Sequence, residues 1–135
     1  MSVARYVIDA ATLLHLVDND LSIDPSHQLV APNSVRSEAL QLLLAQVRRG
    51  ERTEQSALQV HLRITELKMR LLGDRVSRGT AWKIARQHDW ESVRDAEYVA
   101  ITRLQADALV TVDPSLTARA EGVVPMALLE ALLRG

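Results

Sequence analysis

Four acidic residues, Asp9, Glu38, Asp95 and Asp113, stand where a carboxylate could do chemistry. Asp9 directly follows the short β-prone run at 4–8 (ARYVI), and Asp113 directly follows the run at 108–112 (ALVTV). In an open parallel sheet, ligands bind beyond the carboxyl ends of the strands, near the point where strand order reverses. Two parallel strands would therefore bring both carboxylates out on one edge. Glu38 lies three residues after Val35 and four before Leu42, on the apolar side of a helix. A carboxylate turned toward a core is costly unless it finds a partner or a metal. Asp95 falls in the first turn of a helix otherwise rich in small and apolar residues. Each acid also has an ordinary structural role open to it. Asp9 could cap the next helix, and Asp113-Pro114 is a good N-cap with proline at N1. Ser92 to Asp95 resembles a capping box, and Glu38 could pair with Arg36 or another nearby arginine.

If the four converged, their repulsion would require a cation or protons on some of them. All-oxygen ligation selects hard ions such as Mg²⁺ or Mn²⁺. The reaction that most often uses such a site is phosphodiester hydrolysis, which needs activated water and a neutralised leaving oxygen. No side-chain nucleophile is then required. His15, His27, His61 and His88 are scattered without ligand spacing. With no cysteine, a disulfide framework, a Cys-based zinc site and a thiol nucleophile are all excluded. A dehalogenase-like phosphatase needs a second Asp where Ala11 stands. A receiver domain needs a Lys after a later strand, and the only lysines are Lys68 and Lys83. The phosphate-loop pattern GxxxxGK[ST] is also missing.

The elements that must position these acids alternate short apolar strands with helices. Strands are expected at 4–8, 29–31 and 108–112, with a minor strand or turn at 74–78 and a strand at 123–124. Helices are expected at 10–17, 34–48, from Thr53 until Gly73, at 80–87, from Ser92 to about Gln105, a short one after Asp113-Pro114, and from Pro125 onward. Residues 34–72 read as two consecutive helices with little room for a strand between them. Such alternation implies an α/β protein whose parallel sheet is covered on both faces.

The chain of 135 residues fits one domain, 1–135, and its 47% hydrophobic and 24% charged content is that of a globular protein. No stretch is apolar and long enough to cross a bilayer, and Arg5 and Asp9 interrupt the apolar N-terminus, so a cytoplasmic location is expected. The net charge of −1 conceals an asymmetry. Residues 48–86 hold ten basic and four acidic side chains, a balance of +6 against −7 elsewhere. Those basic residues either solvate the outer faces of two helices or form a basic wall beside an acidic pocket, as a polyanionic substrate would require. Four aromatic residues are few for binding by base stacking.

Taken together, YVIDAATLL around Asp9, SEALQLL around Glu38, RDAEYVAI around Asp95 and LVTVD around Asp113 resemble the PIN domain. In size and layout the chain is similar to the VapC-type toxins of toxin–antitoxin pairs, and the resemblance spans nearly all its length. It implies a three-layer α/β/α sandwich with a short parallel sheet of four or five strands, acting as a Mg²⁺- or Mn²⁺-dependent endoribonuclease. It implies that Asp9, Glu38, Asp95 and Asp113 bind the metal. Thr111 matches a hydroxyl residue common in the family and, with Thr12 and Glu97, is a candidate contact to the ligands or the substrate. The family often has Ser or Thr two residues after its first Asp; here that residue is Ala11, and Thr12 follows. Partners implied are an RNA substrate, a second copy in a homodimer and a cognate antitoxin protein. The alternative is a PIN-like module that binds RNA or protein without cleaving it.

Overall fold

A computed structural model describes residues 4–134. The elements run β1 (Arg5–Ile8), α1 (Ala10–Asp18), β2 (Gln28–Pro32), α2 (Val35–Arg48), α3 (Glu54–Glu66), β3 (Arg70–Leu72), α4 (Arg75–Gln87), α5 (Val93–Gln105), β4 (Ala108–Val110) and α6 (Pro114–Ala120). A 3₁₀ turn at Leu129–Leu132 follows.

Four strands form one sheet of order β3-β2-β1-β4 among the described residues, and every pairing is parallel. Val7, Ile8, Leu29, Val30, Ala31, Leu109 and Val110 are all buried, as strands sandwiched on both faces require. The order explains the layers. The chain moves from β1 to β2 to β3 in one direction, then returns past them to place β4 on the other side of β1. Crossovers between parallel strands are right-handed in nearly all proteins, so this reversal moves the connecting helices to the opposite face. Accordingly α1, α2 and α3 pack on one another, while α4 packs on α5, which lies against β1, β2 and β4. The architecture is a three-layer α/β/α sandwich. Helices α1 and α5 carry the broadest buried faces, including Leu13, Leu14 and Leu16 in α1 and Val99, Ala100 and Ile101 in α5.

Four expectations are corrected. The second long helix stops at Glu66 rather than at Gly73, and residues 70–72 form β3. Leu67 and Leu71 extend the helical period in sequence, but the edge of β2 has backbone groups that need partners. Leu71 and Leu72 pair with Ala31 and Pro32 instead. Residues 75–78 are not strand but the start of α4, which begins five residues before Thr80 because Asp74 caps it by accepting from the Ser77 amide at 2.8 Å. After Pro125 the chain does not form a regular helix. The Leu109 amide donates to the Pro125 carbonyl (2.9 Å) and the Ala127 amide to the Leu109 carbonyl (3.0 Å), so this segment covers the outer edge of β4. Residues 123–124 form a turn and bend, with one bridge nearby between Leu109 and Met126.

Candidate functional site

Strand order reverses between β1 and β4, and their carboxyl ends carry Asp9 and Asp113. That crevice is where open α/β sheets bind ligands. Asp9 is 5% exposed and Thr12 is fully buried. The Asp9 carboxylate caps α1, accepting from the Thr12 amide at 3.2 Å and from the Thr12 hydroxyl on the same oxygen. Its other oxygen accepts from the Thr111 hydroxyl at 3.0 Å. Each hydroxyl also accepts a backbone hydrogen bond: Thr12 Oγ1 from the Val112 amide and Thr111 Oγ1 from the Asp113 amide, both at 3.0 Å. Two threonines thus tie the ends of β1 and β4 together. They also explain why the β4 ladder ends at Val110 although the apolar run continues to Val112. Asp113 caps α6, accepting from the Ser115 amide at 2.9 Å.

Burial pushes the Asp9 carboxyl above the usual range; the Thr12 and Thr111 hydrogen bonds oppose that, and the charge of Asp113 adds to it. The only charged group among these main influences is another carboxylate. Asp9 thus has two hydroxyl donors and no cationic side chain among its main influences, while the Asp113 carboxylate accepts from a backbone amide; both offer the oxygen donors that a hard divalent cation takes.

The other two acids stand on flanking helices. Glu38, in the first turn of α2, accepts from the buried Tyr98 hydroxyl of α5. It also lies 3.9 Å from the Arg94 guanidinium. The arginine is Arg94 and not Arg36, whose guanidinium donates to the Leu67 carbonyl. Burial raises the Tyr98 phenol far above its usual range, the bond to Glu38 raises it further, and the charges of Glu38 and Asp9 act the same way. Tyr98 therefore stays a donor and stands between the two acids. Asp95 lies in the first turn of α5; its amide donates to Ser92 Oγ at 3.4 Å, but its carboxylate accepts from Arg119 of α6. Glu97 is half-buried: its carboxyl is raised by burial and then by Glu38, with Arg78 and Arg94 opposing.

Asp9 is thus linked to the Asp113 backbone amide through Thr111, and Glu38 is held by Tyr98, whose phenol also feels the charge of Asp9. Asp95 is linked to the Asp113 helix through Arg119. Among the described residues no three carboxylates or imidazoles gather round one point. Each acid is held aside by its own donor. Tyr98 could have been found in the sequence, because it follows Asp95 by three and shares its helix face. Arg119 carried no such signal.

Part of the basic block lies away from the site. Arg52 pairs with Asp18 and Arg63 with Asp20, beyond or at the end of α1. Lys68 and Arg70 line a cavity of about 810 Å³ with Arg5 and Gln28, at the starts of the strands and so on the edge opposite Asp9. Asp107 lies on that edge too, accepting from the Arg5 amide at 2.7 Å. Arg78, also of the block, acts on Glu97.

No protein-family model and no curated protein matches the chain. Among solved structures it is similar to a chain in the crystal structure of PAE2754 from Pyrobaculum aerophilum, with a TM-score of 0.73 and 20% identity. The match covers 96% of this chain and 94% of that one. At that identity the likeness bears on the fold.

Proposed function

We propose that the chain is a Mg²⁺- or Mn²⁺-dependent endoribonuclease, the toxin of a VapBC-type toxin–antitoxin pair. The observation that supports this best is the buried Asp9 carboxylate at the β1–β4 crevice, with two threonine hydroxyls as its donors and close enough to Asp113 to feel its charge. Asp9 and Asp113 would hold the ion, with Glu38 and Asp95 completing the oxygen ligands. A bound ion would supply water activation and neutralise charge on the leaving oxygen. The protein's own part is positional. Thr12 and Thr111 fix both Asp9 oxygens, Tyr98 fixes one oxygen of Glu38, and Asp113 is set by its cap on α6. Arg78 and Arg94 stand near Glu97 and Glu38, where an RNA phosphate would find guanidinium donors.

The same reading carries a cognate antitoxin, a homodimer and a cytoplasmic location. No helix of the described residues is long and apolar enough to cross a membrane. Leu58 and Leu62, four residues apart on α3, are each about 60% exposed and offer apolar surface to a second copy.

A second reading, a PIN-like module that binds without cleaving, is favoured by one observation: each of the four acids already has a partner within the protein. One experiment separates the two. Purified protein free of antitoxin is incubated with structured and unstructured RNA, with and without Mg²⁺ or Mn²⁺. The nuclease reading expects cleavage that needs the ion and is lost in Asp9→Asn, Asp95→Asn and Asp113→Asn. Cleavage that persists in all three variants would point to a contaminant and remove the assignment.

A further inference from the structure

Helix α4 carries four basic side chains and no acid in its 13 residues, and none of the four forms a salt bridge among the described residues. The acid just before it, Asp74, is committed to capping the Ser77 amide. Ser77, Ala81, Ile84 and Ala85 are its buried side, which turns Arg75, Trp82 and Arg86 outward as one stripe with Arg78 and Lys83 flanking it. Trp82 is 64% exposed, although tryptophan is ordinarily well buried. Arg78 stands four residues before it and Arg86 four after, about 6 Å along the axis in each direction. Phosphates follow one another on that scale in an extended strand. Three residues before Trp82 is Gly79, with nothing within 4 Å of where a Cβ would lie, so open space adjoins Trp82 on its side of the helix. Glycine weakens a helix interior, and packing gives no reason for one here. Val76, the other exposed large apolar residue of α4, stands six positions from Trp82 and off the stripe, so the helix sets charges beside the ring and not an apolar patch. A solvated basic face needs the arginines but not the tryptophan.

We propose that the outer face of α4 is a track for single-stranded RNA, with one base stacked on Trp82 and the neighbouring phosphates on Arg78 and Arg86. This rests on RNA as the ligand, which the nuclease and the non-cleaving module have in common. Stacking tolerates any base, since every base has a π-face, and the guanidinium groups on either side grip the backbone. A duplex hides its base faces, so the track selects single strands. The amino end of α4 follows directly on the carboxyl end of β3, so the track starts at the edge of the sheet that carries Asp9 and Asp113 and leads away from it. Arg78, near that end, donates to the Gly73 carbonyl and acts on Glu97 of α5.

The test is binding of a short labelled RNA to the full chain by fluorescence anisotropy, in chelator so that the strand is not cut. Wild type, Trp82→Ala, Trp82→Phe, Arg86→Gln and Arg48→Gln are compared, with the strand alone and annealed to its complement. Arg48 is exposed in the last turn of α2, in the other helical layer, so it matches the charge change of Arg86→Gln away from the track. Loss of stacking in Trp82→Ala is expected to weaken single-strand binding roughly five- to a hundredfold, with Trp82→Phe keeping most of the affinity. Arg86→Gln is expected to lower the slope of log affinity against log salt by about 0.7, the value of one phosphate contact on a single strand, and Arg48→Gln to leave it unchanged. Bound RNA should quench the tryptophan emission of wild type more than that of Trp82→Phe, because the remaining Trp90 is half-buried and stacked on His88. Melting temperatures close to wild type show that these exposed-site variants fold. Equal affinity in wild type and Trp82→Ala would overturn the track and leave RNA to bind elsewhere; if Trp82→Ala then abolished self-association, the face would be a contact between copies. Duplex bound as tightly as single strand would also overturn it, as would equal effects of Arg86→Gln and Arg48→Gln, since overall charge would then account for binding. Failure of wild type to bind either form would remove RNA as the ligand, and the track with it.

Discussion

Asp9 shows how one side chain can serve two readings at once. It caps α1, as any Asp before a helix is apt to, and it is also the buried carboxylate nearest the strand-order reversal. A cap alone does not require burial behind two threonines. The cost of that burial is visible in its raised pKa, and it predicts a pH dependence. Because the folded pKa lies above the unfolded one, the folded protein holds the Asp9 proton more tightly. Ionised Asp9 therefore weakens folding, with the penalty growing as pH rises from the ordinary Asp value of about 4 through the raised value. In Asp9→Asn the amide can still accept from Thr12 and can donate to Thr111. Without divalent cations, that variant is expected to melt above wild type at neutral pH, with the gap closing as pH falls to about 4. Melting curves across pH check this, and a gap constant with pH would contradict it. The absence of Ser or Thr at position 11 matters little, because Thr12 reaches Asp9 from one residue further along.

At the scale of elements, the carboxyl edge of the sheet is built to close tolerances. The Asn33 amide nitrogen of the backbone donates to the Leu72 carbonyl at 2.8 Å, drawing the ends of β2 and β3 together. Gly73 then passes so close that an added Cβ would meet the Asn33 side-chain nitrogen at 2.1 Å and its Cγ at 2.9 Å. Asn33 is exposed and the atoms in the way are the end of its side chain, so Gly73→Ala is expected to turn that amide aside into solvent at a cost of under about 1 kcal/mol. Denaturant unfolding of Gly73→Ala alone and in an Asn33→Ala background measures this, and a loss well above that in the first, relieved in the second, would show that the Asn33 side chain cannot move. The same edge reaches toward Glu97, since Arg78 of α4, which opposes the raised Glu97 carboxyl, donates to the Gly73 carbonyl.

For the whole molecule, the reversal of strand order does most of the work. It places α5 on the face opposite α2 and lets Tyr98 reach Glu38 across the end of the sheet. It also leaves α3 with an outer stripe of Leu58 and Leu62, and α2 with exposed Leu40 and Leu44 at the same spacing. If two copies meet through the α3 stripe, Leu58→Glu with Leu62→Glu should convert a dimer to a monomer in light scattering coupled to gel filtration. The fold should be retained, because both side chains are largely solvent-facing in one copy. A dimer unchanged by the two charges would place the interface elsewhere.

Periodicity and local chemistry in the sequence were sufficient for the α/β class, for β1, β2 and β4, for both long helices of the 34–72 block, and for the four acids as candidates. These features depend on near neighbours: alternating apolar runs, capping residues and spacing along one helix face. The strand at 70–72 was not legible, because its leucines satisfy a helical period as well as a strand. Only the unpaired edge of β2, distant in sequence, decides between them. The same limit applies to the site. Sequence could place Asp9 and Asp113 at strand ends, but not the threonine bridge between them. It gave no sign that Tyr98 would hold Glu38 from 60 residues away or that Arg119 would hold Asp95. Those pairings depend on which strand lies beside which, and that choice is made by packing across the whole sheet.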